Sequence, residues 1–351
     1  MIPPKQILSM RRKLLRWYEK THRDLPWRRT RDPYAIWIAE TMLQQTQVAT
    51  VTRYYDRFLN AFPTIQALHR ARLSRVLTLW SGLGYYRRAV NLKKSARVLM
   101  RDHGGSLPDN YTALRNLPGV GDYTAGAVLS IAFGKRFPAV DGNARRVIGR
   151  AFARRTEKEI RDLAARLVPP ARAGYFNQGL MEIGATVCAP RDPLCRHCPW
   201  RDDCKSASDS ITKPWSKSQI LRSVTWPLAI VRNGSSVLVR RRPGNGVLSG
   251  LWEFPGSESE PGETPRANLQ RHLKILPKLP RPKQIGQFQH AITKRKIRAP
   301  VFLFDNHEWA GFSLPNRSWR WLNPDSLRRY PVSSMTLKAA KVLATYEDGA
   351  V

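Results

Sequence analysis

Leu117-Pro118-Gly119-Val120-Gly121 leads through Asp122 into Tyr123-Thr124-Ala125-Gly126-Ala127-Val128-Leu129-Ser130-Ile131-Ala132-Phe133. A Pro-Gly-x-Gly turn feeds directly into an apolar helix, and Tyr111 to Asn116 before it is long enough for a short helix. The stretch therefore predicts a helix-hairpin-helix. Glycine lets backbone come close to a ligand, and a helix start offers unpaired N–H groups and a positive dipole end, so such a turn can hold a phosphate. It is equally the shape of an ordinary helix–helix corner. The rest of the chain favours phosphate. Lys and Arg number 60 against 26 Asp and Glu, a net charge of +34, and that excess calls for a polyanionic partner. Nucleic acid and anionic membrane are the two candidates. No apolar run approaches the ~20 residues that span a bilayer. The start, Met1-Ile2-Pro3-Pro4-Lys5, lacks the apolar stretch of a signal peptide. Nucleic acid is the expectation, with no membrane.

Working outward, the pattern before residue 206 is helical. Ile7–Tyr18, Ala35–Phe58 (one or two helices), Leu68–Trp80, Arg87–Asp102, Asn143–Phe152 and Glu157–Leu167 are separated by breakers such as Pro63, Gly82, Gly84 and Gly104-Gly105. Residues 1–205 are expected to form an all-α domain. Residues 206–222, rich in Ser and Lys, read as a linker. Beyond it the period changes. Trp226–Val231, the turn Asn233-Gly234 and Val237–Arg240 read as a β-hairpin. Ile285–Ile292 and Lys296–Phe304 are strand candidates, and Pro265–Leu276 and Ser333–Tyr346 read as helices. Residues 223–346 are expected to form an α+β domain.

Two acids stand among apolar residues. Glu40 follows Ile36, Trp37, Ile38 and Ala39 and precedes Met42 and Leu43. An unpaired carboxylate there is desolvated, its pKa rises, and a general acid near neutral pH needs that rise. A surface glutamate, or one paired with arginine, fits the same pattern. Asp141 sits where Ala139-Val140 turns into a helix, with Asn143 close behind, and either residue can simply cap that helix. Two acids at separate apolar sites also fit glycosidic-bond cleavage, one as acid and one as cation stabiliser.

All four cysteines, Cys188, Cys195, Cys198 and Cys204, lie within seventeen residues. That crowding reads as one metal site and not as a disulfide scaffold. The spacing C-x6-C-x2-C-x5-C has one close pair and two outliers, which leaves zinc and an iron–sulfur cluster both open.

Together these pieces resemble the helix-hairpin-helix glycosylase superfamily, and within it the MutY-type adenine glycosylases. The resemblance spans nearly the whole chain. It rests on Leu25-Pro-Trp-Arg28, Glu40-Thr-Met-Leu-Gln-Gln-Thr-Gln-Val48, Gly82-Leu-Gly-Tyr-Tyr86, Leu117–Gly121, Val140-Asp-Gly-Asn143, Phe176-Asn-Gln178 and the cysteine loop. The resemblance implies removal of adenine opposite 8-oxoguanine (and opposite guanine) in duplex DNA, by a monomer, in the cytoplasm at the bacterial nucleoid. It implies a [4Fe-4S] cluster on the four cysteines, folding a basic loop with Arg191 and Arg196 onto the DNA backbone, while Gly119 and Gly121 hold phosphate. Glu40 would protonate the adenine and Asp141 stabilise the sugar cation, with Tyr123 and Asn143 orienting them. Gln45 and Tyr85 would wedge into the base stack, and Trp27, Arg28 and Gln178 would line the adenine pocket. The strand-cutting sister enzymes carry a lysine where this chain has Tyr123, so base removal without efficient strand cleavage is implied.

The second domain resembles the Nudix-like module of these enzymes at Gly250-Leu-Trp-Glu-Phe-Pro-Gly256. The segment after it, Glu263–Leu273, lacks the carboxylate set of a catalytic Nudix helix, so pyrophosphate hydrolysis is not expected. The resemblance assigns the module to reading 8-oxoguanine. The family's Phe-Ser-His reading loop is here Ile292-Thr293-Lys294, which leaves Thr293 and Lys294 as the candidate reading residues.

Overall fold

The computed structural model describes residues 2–154, 156–207, 221–244, 246–276, 279–305 and 313–349. The chain forms two compact units, Met1–Arg70 with Val90–Lys217, and Ala71–Ala89 with Ser218–Val351. Ala71–Ala89, which the sequence reading places in the first domain, groups with the second unit. Most of the expected linker, 208–220, lies outside the described residues, and its last residue opens the first strand.

The helices, in chain order, are α1 (Pro4–Thr21), α2 (Pro33–Leu43), α3 (Val48–Ala61), α4 (Ile65–Arg70), α5 (Leu73–Leu79), α6 (Arg87–Asp102), α7 (Tyr111–Arg115), α8 (Asp122–Ile131), α9 (Gly142–Ala151), α10 (Glu157–Leu167) and α11 (Ala173–Thr186). The single helix expected over 68–80 is two, interrupted at Ala71-Arg72. The local rules of helix ends explain several starts. Pro33 occupies the first turn of α2, where its missing N–H costs nothing, and Asp32 accepts from the N–H groups of Tyr34 and Ala35. Thr156 and Glu159 form a reciprocal capping box on α10.

The core of the first unit joins α1, α9, α10 and α11 around Phe176 and Trp200. The Trp200 indole N–H donates to the Met10 carbonyl at 2.9 Å, which pins the cysteine loop to α1. Helix α2 is buried on every side from Tyr34 to Met42, as an apolar run without amphipathic period should be. The sequence reading lacked α11. Its apolar face, Phe176, Leu180 and Ile183, has helical spacing, but Gly174, Gly179 and Gly184 dilute the propensity. These glycines serve packing. A Cβ on Gly184 would fall 2.5 Å from the Cβ of Asn143, so only glycine lets α11 press against the start of α9.

The second unit holds a mixed sheet of β1 (Arg222–Thr225), β2 (Leu228–Asn233), β3 (Ser236–Arg241), β4 (Trp252–Glu253), β5 (Lys283–Ile292), β6 (Arg295–Asp305) and β7 (Trp319–Leu322), with helices α12 (Pro265–His272) and α13 (Ser334–Asp348). The order is β1-β6-β2-β3-β4, with β5 on β6 and β7 on β3. Strand β6 runs parallel to β1 and β2 and antiparallel to β5. Ile230, Val239 and Val301 pack with Met335, Ala339 and Leu343 of α13. Val231, Leu238 and Phe304 pack with Leu269 of α12 and with Leu273. Because both faces are covered, β2 reads as a continuous apolar run and not as an alternation. In the segment after β4, both Glu263 oxygens are engaged by Arg271, at 2.9 and 3.1 Å, and one also accepts from Asn268.

Candidate active site and cysteine cavity

Glu40 is 4% exposed, at the buried centre of α2. The Tyr123 hydroxyl, from the first turn of α8, donates to its carboxylate and lies 3.7 Å from the Met181 sulfur. Burial pushes the Glu40 carboxyl up to about 7. The hydrogen bond from Tyr123 works against that rise, the charge of Asp141 adds to it, and Arg28 subtracts. Burial likewise raises the Tyr123 phenol well above its ordinary value, so it remains a proton donor.

Asp141 caps α9. It accepts from the Ala144 N–H at 2.7 Å and from the Asn143 side-chain amide at 3.0 Å. Burial raises its carboxyl, and these donors oppose the rise by favouring the anion. Capping and chemistry are therefore not alternatives here, since the same donors that satisfy the helix start also favour the charged form of the carboxyl. The two acids differ in environment, one against a phenol in apolar surroundings and one among amide donors. Such a difference in surroundings is how two carboxyls in one site come to take different roles.

Sequence reasoning missed Glu182 and Arg23. Glu182, on α11, is 1% exposed. It accepts both guanidinium N–H groups of Arg23 at 2.8 Å and one from Arg28 at 2.7 Å. Its burial favours the neutral acid, but the Arg23 and Arg28 hydrogen bonds outweigh it and hold the carboxyl at about 2. The signal was available, because Glu182 is an acid in an apolar run just as Glu40 is. Arg28 also lies over the Tyr18 ring, 5.3 Å from its centroid. The Tyr18 hydroxyl donates to Gln178 at 3.1 Å. Trp27 is buried, edge-on to Tyr55 at 5.4 Å. Glu40, Tyr123, Asp141, Asn143, Trp27, Arg28 and Gln178 thus all lie in the first unit.

The remaining candidates lie on the surface. Gln45, Tyr85, Arg191, Arg196, Thr293 and Lys294 are all exposed. Seven described non-glycine residues have positive φ, and three of them are Gln45 (56°), Tyr85 (47°) and Thr293 (53°). A β-branched residue pays most for that conformation, so Thr293 at the tip of the β5–β6 hairpin is a strained position. Its hydroxyl donates to the Ile292 carbonyl at 2.7 Å.

At the hairpin turn, Gly119 has φ +82° and a Cβ there would fall 2.7 Å from the Asn91 side chain. Gly121, at the start of α8, faces open space. Gly119 is thus required by the fold, and Gly121 leaves room for a ligand at the helix start. Gly119→Ala is expected to cost at least about 1 kcal/mol of stability and to weaken binding to every duplex alike. Thermal melting and a duplex-binding titration check both effects.

The four cysteine side chains line one cavity together with Val147, Ile183 and Trp200. Among the described residues they do not converge on a single ion-sized point. Burial pushes the Cys198 thiol up to about 12, a backbone donor at Trp200 opposes this, and the neighbouring cysteines reinforce it. Arg150 donates to the Cys188 sulfur at 3.3 Å. Four thiols lining one cavity have the donor chemistry of an iron–sulfur or a zinc site.

The helical unit thus carries a buried acid, Glu40, before the hairpin turn and a part-buried one, Asp141, after it. Residues 38–170 match the model of the HhH-GPD superfamily base excision DNA repair protein, and residues 228–341 match the NUDIX domain. A thermostable thymine-DNA glycosylase structure, 36% identical, superposes with a TM-score of 0.55 over 58% of this chain and 97% of its own. The adenine DNA glycosylase of Rattus norvegicus is 35% identical over 98% of this chain and 79% of its own length. That of Homo sapiens is 34% identical over 98% and 76%. The chain belongs to the adenine DNA glycosylase family, and it is an adenine-specific DNA N-glycosylase.

Proposed function

We propose that this glycosylase acts on adenine opposite 8-oxoguanine, and less selectively opposite guanine, and that it removes the base without cutting the strand. The observation that carries the chemistry is the hydrogen bond of Tyr123 to buried Glu40, with Asp141 capping α9. The adenine must first leave the stack. Gln45 and Tyr85 serve as wedges, and Gly119, Gly121, Arg191 and Arg196 hold backbone phosphates. The base enters beside Trp27, Arg28 and Gln178, and Glu182 holds the Arg28 guanidinium in place. Glu40 gives its proton to adenine N7. The C1′–N9 bond then breaks with its electron pair going to the base, and Asp141, oriented by Asn143, stabilises the cation left on the sugar. Ionised Glu40 takes a proton from water, and the oxygen bonds to C1′. Tyr123 offers no amine, so no Schiff base forms and the strand stays intact.

The four cysteines hold a [4Fe-4S] cluster in this reading. The cluster supplies structure, shaping the loop that carries Arg191 and Arg196, and no part of the reaction passes through it. In the second unit, Thr293 and Lys294 at the strained hairpin tip read the base opposite the adenine. Because Ala71–Ala89 groups with that unit, full-length variants test it better than truncation.

Single-turnover excision on duplexes with A opposite 8-oxoguanine, A opposite G, and T opposite G tests the whole reading. Adenine is expected to leave fastest opposite 8-oxoguanine, and thymine not at all. Strands are expected to break only after alkali. Efficient borohydride trapping of a protein–DNA adduct, or preferred release of thymine, refutes the reading.

A further inference from the structure

The loop that carries Tyr85 is strained and held from two sides. Gly82, Gly84 and Tyr85 all have positive φ, 95°, 77° and 47°. Such a run persists only where its surroundings over-determine it. From within, the Trp80 indole donates to the Gly84 carbonyl at 3.0 Å. Buried Arg88 donates to the carbonyls of Gly84 at 3.1 Å and of Leu83 and Tyr85 at 3.4 Å. Its guanidinium lies over the Tyr85 ring, 5.4 Å from the centroid.

The second hold comes from a remote part of the chain. The Ser81 hydroxyl, at 2.5 Å, and the Tyr86 hydroxyl, at 3.0 Å, both donate to the carbonyl of Val332. The Tyr86 oxygen also accepts from the Gly82 N–H at 3.0 Å, so one phenol fixes both ends of the loop. Val332 is fully buried and bridges to Trp252 of β4. Ser333, the next residue, caps α13. Lys338 of α13 donates to the Gln289 carbonyl of β5 at 3.0 Å, and β5 runs on to the Thr293 turn. The wedge loop and the reading hairpin therefore hang from the same short segment.

We propose that the Val332 carbonyl is the fixed point that sets Tyr85 relative to the lesion-reading hairpin, with Ser81 and Tyr86 as positioning residues for 8-oxoguanine selectivity. The inference rests on the wedge and reading roles given above. Its physical content is mechanical. Contact energy gained at the 8-oxoguanine assists insertion of the wedge only if the two parts are joined. With the join cut, each must be ordered separately, and the lesion no longer accelerates excision.

The test uses the full-length protein. Ser81→Ala/Tyr86→Phe removes both donors and keeps the ring. Its single-turnover preference for A opposite 8-oxoguanine over A opposite G is expected to fall about tenfold, equivalent to ~1.4 kcal/mol. In a Glu40→Gln background, 2-aminopurine placed beside the 8-oxoguanine reports unstacking. Its fluorescence rise at saturation is expected to drop by at least half. Thermal melting checks that the variant is folded, and Tyr86→Phe alone should lie between. An unchanged preference overturns the proposal, and so does an equal loss on both duplexes, which marks a merely structural role. Tyr85→Ala separates the two readings. If it loses preference and fluorescence while the double variant keeps them, the fixed point fails and the wedge stands. If Tyr85→Ala keeps both, the wedge role and the proposal fall together.

Discussion

Glu40→Gln is expected to bind mismatched DNA and to excise adenine at least about a thousandfold more slowly, within the range that general acid catalysis contributes. Glutamine keeps the shape of the side chain inside α2 and can still pair with the Tyr123 hydroxyl, but it carries no proton to give. The pH profile sharpens the test. With the Glu40 carboxyl at about 7, the competent protonated form predominates below that pH. Excision should fall roughly tenfold per unit above it, and the residual activity of the glutamine variant should lack that limb. The substitution should move stability the other way. A carboxyl whose folded value lies above its unfolded value of 4.5 destabilises the fold as it ionises. Its contribution is complete below the unfolded value and lost as pH rises through about 7. At pH 8 the variant should therefore melt above wild type, by an amount on the order of 3 kcal/mol at most, and the gap should close by pH 5. Near-normal excision, or a pH limb that survives the substitution, removes Glu40 from the mechanism.

The candidate site was legible in the sequence where chemistry and local pattern coincide. Glu40 stands out because an acid inside Ile-Trp-Ile-Ala violates the apolar run, and the structure shows what that violation does, a desolvated carboxyl held by one phenol. Asp141 was ambiguous because a cap and a cation stabiliser need the same residue at the same place. The hydrogen bonds make it a cap, and the same donors favour its charged form against the burial that raises its carboxyl. Glu182 escaped because α11 itself escaped. Its three glycines weaken the helical signal, and their purpose, close approach to neighbouring helices, is a tertiary fact that no local window contains. The grouping of Ala71–Ala89 with the second unit was hidden for a related reason. Nothing in Ser81 or Tyr86 announces that a carbonyl some 250 residues later accepts from both.

Arg146→Met is the second large effect. Arg146 and Arg150, four residues apart on α9, turn one face of that helix toward the cysteine loop. Arg146 donates to the Cys188 carbonyl at 2.7 Å, to the Gly184 carbonyl at 2.6 Å and to the Asn143 side-chain oxygen at 2.9 Å. Asn143 in turn donates to Asp141. One guanidinium thus ties the first cysteine, the end of α11 and the orienting group of Asp141 into a single network. Methionine fills the same length of buried space and supplies no donor. Three acceptors then lose a partner, and the buried one, the Gly184 carbonyl, costs ~1–3 kcal/mol. Asn143 also loses the contact that aims its amide at Asp141. A misplacement of about 1 Å near reacting atoms costs about a hundredfold in rate, so excision should drop at least that far. Iron, expected at about four per chain in protein purified without oxygen from the four thiolate ligands, should fall in the same preparation because the Cys188 carbonyl is no longer held. Arg146→Lys, which can reach one acceptor but not three, should fall between. If Arg146→Met keeps both its iron and its excision rate, the network is packing alone, and the cysteine loop and Asp141 are independent.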